Sequence, residues 1–172
     1  MSHSRTILLV EVEAETAGAR RRALERCGYT VIIVASNGEA LERVRSDPGI
    51  DLVIAGVDPG DGMNGPEAAE AILAERDIPV LFYFHPRSFR QNTTDRTGGP
   101  VCYGYALAGF GEARLQVPVQ AALELHRAHR RMKDPDMAES GGGDRERYRV
   151  LMDQASDAII IADVKGNFLE VN

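Results

Sequence analysis

Asp51-Leu-Val-Ile-Ala-Gly-Val-Asp58 is an unbroken apolar run that begins and ends on an aspartate. It has the length of a strand and lacks the polar alternation of a strand with one wet face, so Asp51 to Val57 reads as a strand buried on both sides. A strand of that kind belongs in a parallel sheet covered by helices, because parallel neighbours need a crossover to return the chain to the same edge. Gly56 stands near the end of this run, where the strand gives way to the loop Gly60-Asp-Gly-Met-Asn-Gly65.

On either side the pattern repeats. Thr6 to Val10, Thr30 to Val34, Pro79 to Phe84 and Val101 to Leu107 are short runs rich in Val, Ile, Leu and aromatic residues. Between them, Glu13 to Cys27, Gly38 to Ser46 and Gly65 to Arg76 carry Ala, Leu, Glu and Arg at helical spacing, and a last helix is predicted from about Gly111 to Lys133. Asn64 suits the cap of the third helix, with Pro66 in its first turn. The alternation predicts an α/β fold with a doubly wound, five-stranded parallel sheet in the order 2-1-3-4-5. The connection from Pro86 to Pro100 departs from it, with poor helix formers and breakers at both ends, which predicts a short, frayed or absent helix there.

Past Lys133 the composition changes. Pro135 and Ser140-Gly-Gly-Gly143 mark a linker, placed at residues 134–146 between a first domain at 1–133 and a second segment at 147–172. In that segment Asp144 to Gln154 is helical in pattern, and Ala158 to Ala162 and Phe168 to Val171 read as two strands flanking a tight turn. Ile159, Ile161 and Phe168 lack a core of their own, which predicts disorder or pairing with another chain.

The chain has 172 residues, 44% of them apolar, enough to bury a core. A formal net charge of −6 disfavours a general nucleic-acid binder, which needs clustered Lys and Arg, although Arg127 to Lys133 is locally basic. No apolar stretch reaches the roughly 20 residues of a membrane helix, and no signal-peptide core precedes the first strand, so a cytoplasmic protein is expected. Cys27 and Cys102 have no metal-type or CxxC spacing and are predicted to be buried thiols. Neither a GxGxxG follows the first strand nor a GxxxxGK[ST] the third, which sets aside dinucleotide and P-loop sites.

Ile7-Leu-Leu-Val-Glu11, Asp51-Leu-Val-Ile54, Gly60-Asp-Gly-Met-Asn-Gly65, Ile78-Pro-Val80 and Tyr103-Gly-Tyr105 together resemble a response-regulator receiver domain of the chemotaxis-regulator kind. The resemblance covers residues 5 to about 133. Residues 147–172 are similar to the opening of a PAS sensory domain, a fraction of the length such a domain needs.

The receiver resemblance implies a carboxylate nucleophile, acids that hold magnesium, a hydroxyl that follows the phosphoryl group and a lysine that pairs with it. Carried over position by position, the set is eroded. The phosphoacceptor falls on Gly56, the acidic pair on Glu11 and Val12, the hydroxyl on Phe84 with His85 beside it, and the lysine on Ala108. Glu11, neighbouring Glu13 and the switch-type aromatic at Tyr105 remain. Asp58 is the substitute nucleophile if the register slips by two, with Asp61 a further candidate, and only that reading calls for magnesium. Glu11, Glu13 and Asp58 together make a poor cation site, so no metal and no cofactor is expected. His85 is expected to hydrogen-bond a neighbour, and His126 and His129, among arginines, to form a solvated basic face instead of a metal pair.

These residues imply a pseudo-receiver in a multidomain prokaryotic two-component sensory protein. It would be non-enzymatic in itself and coupled to a PAS domain, with a histidine kinase further on implied by family association alone. Its partners would be proteins or a second copy, met on the face of the fourth helix, fifth strand and last helix, with no nucleic acid and no membrane involved. Two other readings stay open: a phosphoacceptor using Asp58 or Asp61, and a small-ligand sensor whose pocket is lined by Glu11, Phe84, His85 and Ala108.

Overall fold

A computed structural model of the chain describes residues 4–56, 63, 65–84, 104–108, 115–133, 160–162 and 168–171. The strands β1 (Thr6–Val10), β2 (Thr30–Val34), β3 (Ile50–Gly56), β4 (Val80–Phe84) and β5 (Gly104–Ala108) alternate with helices α1 (Ala14–Arg26), α2 (Asn37–Ser46) and α3 (Gly65–Glu75), and α4 (Gln116–Lys133) follows β5. The hydrogen-bonded order begins β2-β1-β3-β4-β5, every pair parallel. The count differs from the sequence expectation: the sheet has seven strands, because β6 (Ile160–Ala162) pairs antiparallel with β5, and β7 (Phe168–Val171) antiparallel with β6. Ile161 and Phe168, predicted to be disordered or paired with another chain, instead sit in a hairpin whose first strand sets Ile161 against Tyr105 and Ala162 against Gly104. The physical reason is an edge effect, since the open side of β5 offers backbone donors and acceptors to any strand nearby.

Local chemistry explains the element ends. Ser36 caps α2 by accepting the Glu39 N–H at 3.2 Å, while the Glu39 carboxylate reaches back to the Ala35 N–H at 2.9 Å, a reciprocal capping pair. α1 ends at Gly28, whose φ of 87° only glycine adopts without strain. There the Tyr29 N–H returns to the Leu24 carbonyl and the Gly28 N–H to that of Glu25, closing the helix in a Schellman turn.

Alternation along β1 sorts its side chains to two faces. Ile7 and Leu9 join Leu24, Leu52, Ile54, Leu81, Val119, Ala122 and Leu123 in a core under α1 and α4. Leu8 and Val10 face the other way, with Leu41, Val44, Val53, Ile72, Val80 and Phe82 under α2 and α3. On the outer side of that second layer Arg45 of α2 bridges Glu75 of α3 at 2.7 Å, and this bond holds its guanidinium proton more tightly than usual.

Other expectations are corrected. Cys27 is exposed, because it stands at the C-terminal end of α1, where its thiol donates to the Ala23 carbonyl at 3.3 Å. His126 is buried, and its contact is described below. Val119, Ala122 and Leu123 of the last helix, with Leu115 just before it, pack on the core under α1 and α4. Asn64, Cys102, His85, Asp58, Asp61, the connection 86–100 and the linker 134–146 lie outside the described residues.

Candidate functional site

In a doubly wound sheet the crevice opens beyond the carboxyl ends of the strands where the order reverses, and in the order 2-1-3 that point lies between β1 and β3. Glu11 directly follows β1 and Gly56 ends β3. Further along the same edge Gly56 is in register with Tyr83, and Phe84 with Ala108. The fold therefore brings Glu11, Gly56, Phe84 and Ala108 to one end of the sheet, as the sequence predicts. Tyr105 lies near the opposite end of β5, in register with Ile161. Asp58 and His85 fall outside the described residues.

Glu11 is not a loose acid. Its Oε1 accepts the Glu13 N–H at 3.2 Å, and its Oε2 is held by the Arg20 guanidinium from α1. The two side chains are 10% and 20% exposed, so the pair is largely shielded from water. Glu13 serves the helix: its carboxylate accepts the Thr16 hydroxyl at 2.6 Å and its carbonyl accepts the Ala17 N–H at 2.9 Å, placing negative charge at the start of α1. Val12, between them, is 76% exposed. Nearby, Asn37 is buried at the start of α2 and donates to the Met63 carbonyl at 3.0 Å, tying α2 to the approach of α3.

These residues do not fit a magnesium ion. A small hard cation takes six oxygens, yet Glu11 already has both oxygens engaged, Glu13 is turned to Thr16, and Gly56 brings no side chain. Among the described residues no group of three or more His, Cys, Asp or Glu is placed to hold a metal.

Sequence reasoning missed Arg20. The signal was present, because Ala17, Arg20 and Leu24 share one face of α1 at spacings of three and four, and Ala17 and Leu24 are buried. An arginine in an apolar stripe demands a carboxylate, and Glu11 supplies it. Removing it should be costly: Arg20→Ala is expected to lower stability by about 2 kcal/mol by leaving a shielded carboxylate without its counter-charge. A urea-denaturation cycle with Glu11→Gln checks this, and strict additivity of the two substitutions would refute the pairing.

His126 was also misplaced by sequence. It lies on α4 at 8% exposure with its Nε2 3.0 Å from Asp77, and Arg130 stands 3.8 Å from the other oxygen of that carboxylate. The partner is 49 residues away, beyond the reach of periodicity. Close by, Arg5 lies near Tyr29, whose phenol is pushed up by burial and drawn partly back by the arginine's charge.

No helix among the described residues is long and apolar enough to cross a membrane. No family model matches the chain, and no curated protein does. Solved structures do. The N-terminal domain of a response regulator/sensory box/GGDEF three-domain protein from Carboxydothermus hydrogenoformans is 28% identical, with a TM-score of 0.58 over 72% of this chain and 98% of that one. A response regulator receiver protein from Sinorhizobium medicae is 21% identical, with a TM-score of 0.58 over 73% and 99%. A fusion bearing the trimeric coiled coil of yeast Spc42 matches at 25% identity and a TM-score of 0.64, over 87% and 95%. The sheet order, the helices on both faces and these likenesses together give the chain the fold of response-regulator receiver domains.

Proposed function

We propose that this chain carries a receiver-like module that does not accept phosphate and acts by binding. In this reading it belongs to a multidomain, prokaryotic, cytoplasmic two-component sensory protein, catalyses nothing itself, and passes conformational bias to a PAS domain that begins near residue 147. The single observation that supports it best is the state of Glu11, locked between the Glu13 N–H and Arg20 while β3 ends in Gly56 beside it. Phosphoryl transfer to a carboxylate needs a nucleophile and metal-borne positive charge at that spot. Here Glu11 is neutralised by the chain's own guanidinium. The C. hydrogenoformans protein, a response regulator/sensory box/GGDEF three-domain protein, supports the multidomain arrangement.

A module without phosphate chemistry signals through its surfaces. The face containing β5 and α4 is the proposed contact for a second copy or a protein partner. Intact mass after incubation with magnesium and acetyl phosphate, with light scattering on the same samples, tests the reading. The expected outcome is no mass increase of one phosphoryl group and no change of oligomeric state. A stable magnesium-dependent adduct on Asp58 or Asp61 would overturn it and make the chain a working phosphoacceptor.

A further inference from the structure

At the other end of the sheet from Glu11 lies a cleft of about 820 Å³, within the size range of small-molecule sites. Its floor is apolar, made by the buried Ile50, Ile78, Pro79 and Leu123. Its rim is cationic. Arg5 comes from the segment before β1, Arg76 from the turn after α3, and Arg127 and Arg130 from α4, against only two carboxylates, Asp51 and Asp77. Four arginines against two aspartates leave an excess of two positive charges, in a chain whose formal net charge is −6.

The carboxylates neutralise this rim only in part. Asp51 accepts the Thr6 N–H at 2.7 Å, and Asp77 is shared between His126 and Arg130. Arg76 is anchored on backbone carbonyls and meets no carboxylate among the described residues. The guanidinium groups of Arg5 and Arg127 form no hydrogen bond or ion pair among the described residues. Guanidinium groups around an apolar floor match an anion that has both phosphate oxygens and a flat apolar body.

We propose that this cleft binds a phosphorylated small molecule of the nucleotide class, with its phosphates on Arg5, Arg127 and Arg130 and its apolar part on Ile78, Pro79 and Leu123. The site is independent of the crevice at Glu11, so its fate does not depend on whether the chain accepts phosphate.

Calorimetric titration of the whole chain with ATP, pyrophosphate and adenosine tests it, with amide chemical shifts followed in parallel. ATP is expected to bind one to one and saturably, pyrophosphate more weakly, and adenosine not measurably. Binding should weaken as salt rises, because exposed guanidinium charges are screened. The double variant Arg5→Gln/Arg127→Gln should weaken ATP binding at least tenfold, and since neither side chain has a hydrogen bond or ion pair to lose among the described residues, it should fold normally. Arg21→Gln, on the outer surface of α1 beside Glu25, should leave binding unchanged. Shift changes are expected at residues 77, 78 and 123–130. The proposal is overturned if neither phosphate compound binds at millimolar concentration, if an acidic peptide binds while they do not, or if the double variant binds ATP as the unaltered chain does.

Discussion

Replacing Ile54 by alanine will remove about 2–5 kcal/mol of stability, a large share of what a domain of this size possesses. β3 is an inner strand, flanked by β1 and β4, and Ile54 sits in register with Leu9 on one side and Leu81 on the other. All three are fully buried in the layer under α1 and α4. With parallel neighbours on both edges, the backbone has little freedom to close the void that the lost side chain leaves. The cost is therefore that of the lost methyl groups plus an unrelaxed cavity. Ile54→Val, which removes a single methylene, should cost only about 1 kcal/mol. Urea denaturation of both variants reads the difference. A cost below about 1 kcal/mol for alanine would mean that β3 is not the core strand described.

The second large effect is expected at Arg76. Its Nη1 donates to the Asp47 carbonyl at 2.9 Å, and its Nη2 to the carbonyls of Pro48 and Ile50 at 2.9 and 3.1 Å. One side chain thus ties the turn that leads into β3 to the turn that leads into β4. Arg76→Ala strands three acceptors at once, two of them in bonds shielded from water, and should cost about 2–3 kcal/mol. Lysine should restore less than half of this, because a single ammonium cannot span the three oxygens as a planar fork does. Amide exchange at Gly49, whose N–H is held by Asp47 Oδ1 at 3.0 Å, should accelerate in both variants. If exchange at Gly49 stayed unchanged and the midpoint did not move, the clamp would be ornamental.

How far the sequence foretold these features follows from the range of the forces involved. β1 and β2 fall where their runs of β-branched and leucine residues place them, and the helices begin and end within a residue or two of expectation up to α3. Burial on both sides of a strand leaves its mark on consecutive residues, so a local window suffices. The clustering of Glu11, Gly56, Phe84 and Ala108 was legible too, because the strand order of the fold dictates which ends meet. Arg76 and the pair of His126 with Asp77 were not, and for Arg20 the stripe on α1 marked the residue but not its partner. Each depends on a polar partner chosen by tertiary packing, and a pattern of hydrophobic residues carries no record of it. The two strands of the last segment were foreseen, but their docking on β5 was missed for a related reason, since pairing along an exposed edge depends on which strands are nearby and not on their own composition.

The guanidinium beside Glu11 has a consequence for how the crevice answers its surroundings. A divalent ion arrives from solution and leaves again, so a domain that relies on one gains or loses stability as the ion's concentration varies. Arg20 is part of the chain and cannot be diluted, chelated or exchanged. The charge that another protein would borrow from the medium is here built into the first helix, so the Glu11 carboxylate keeps a counter-charge whatever the ionic supply.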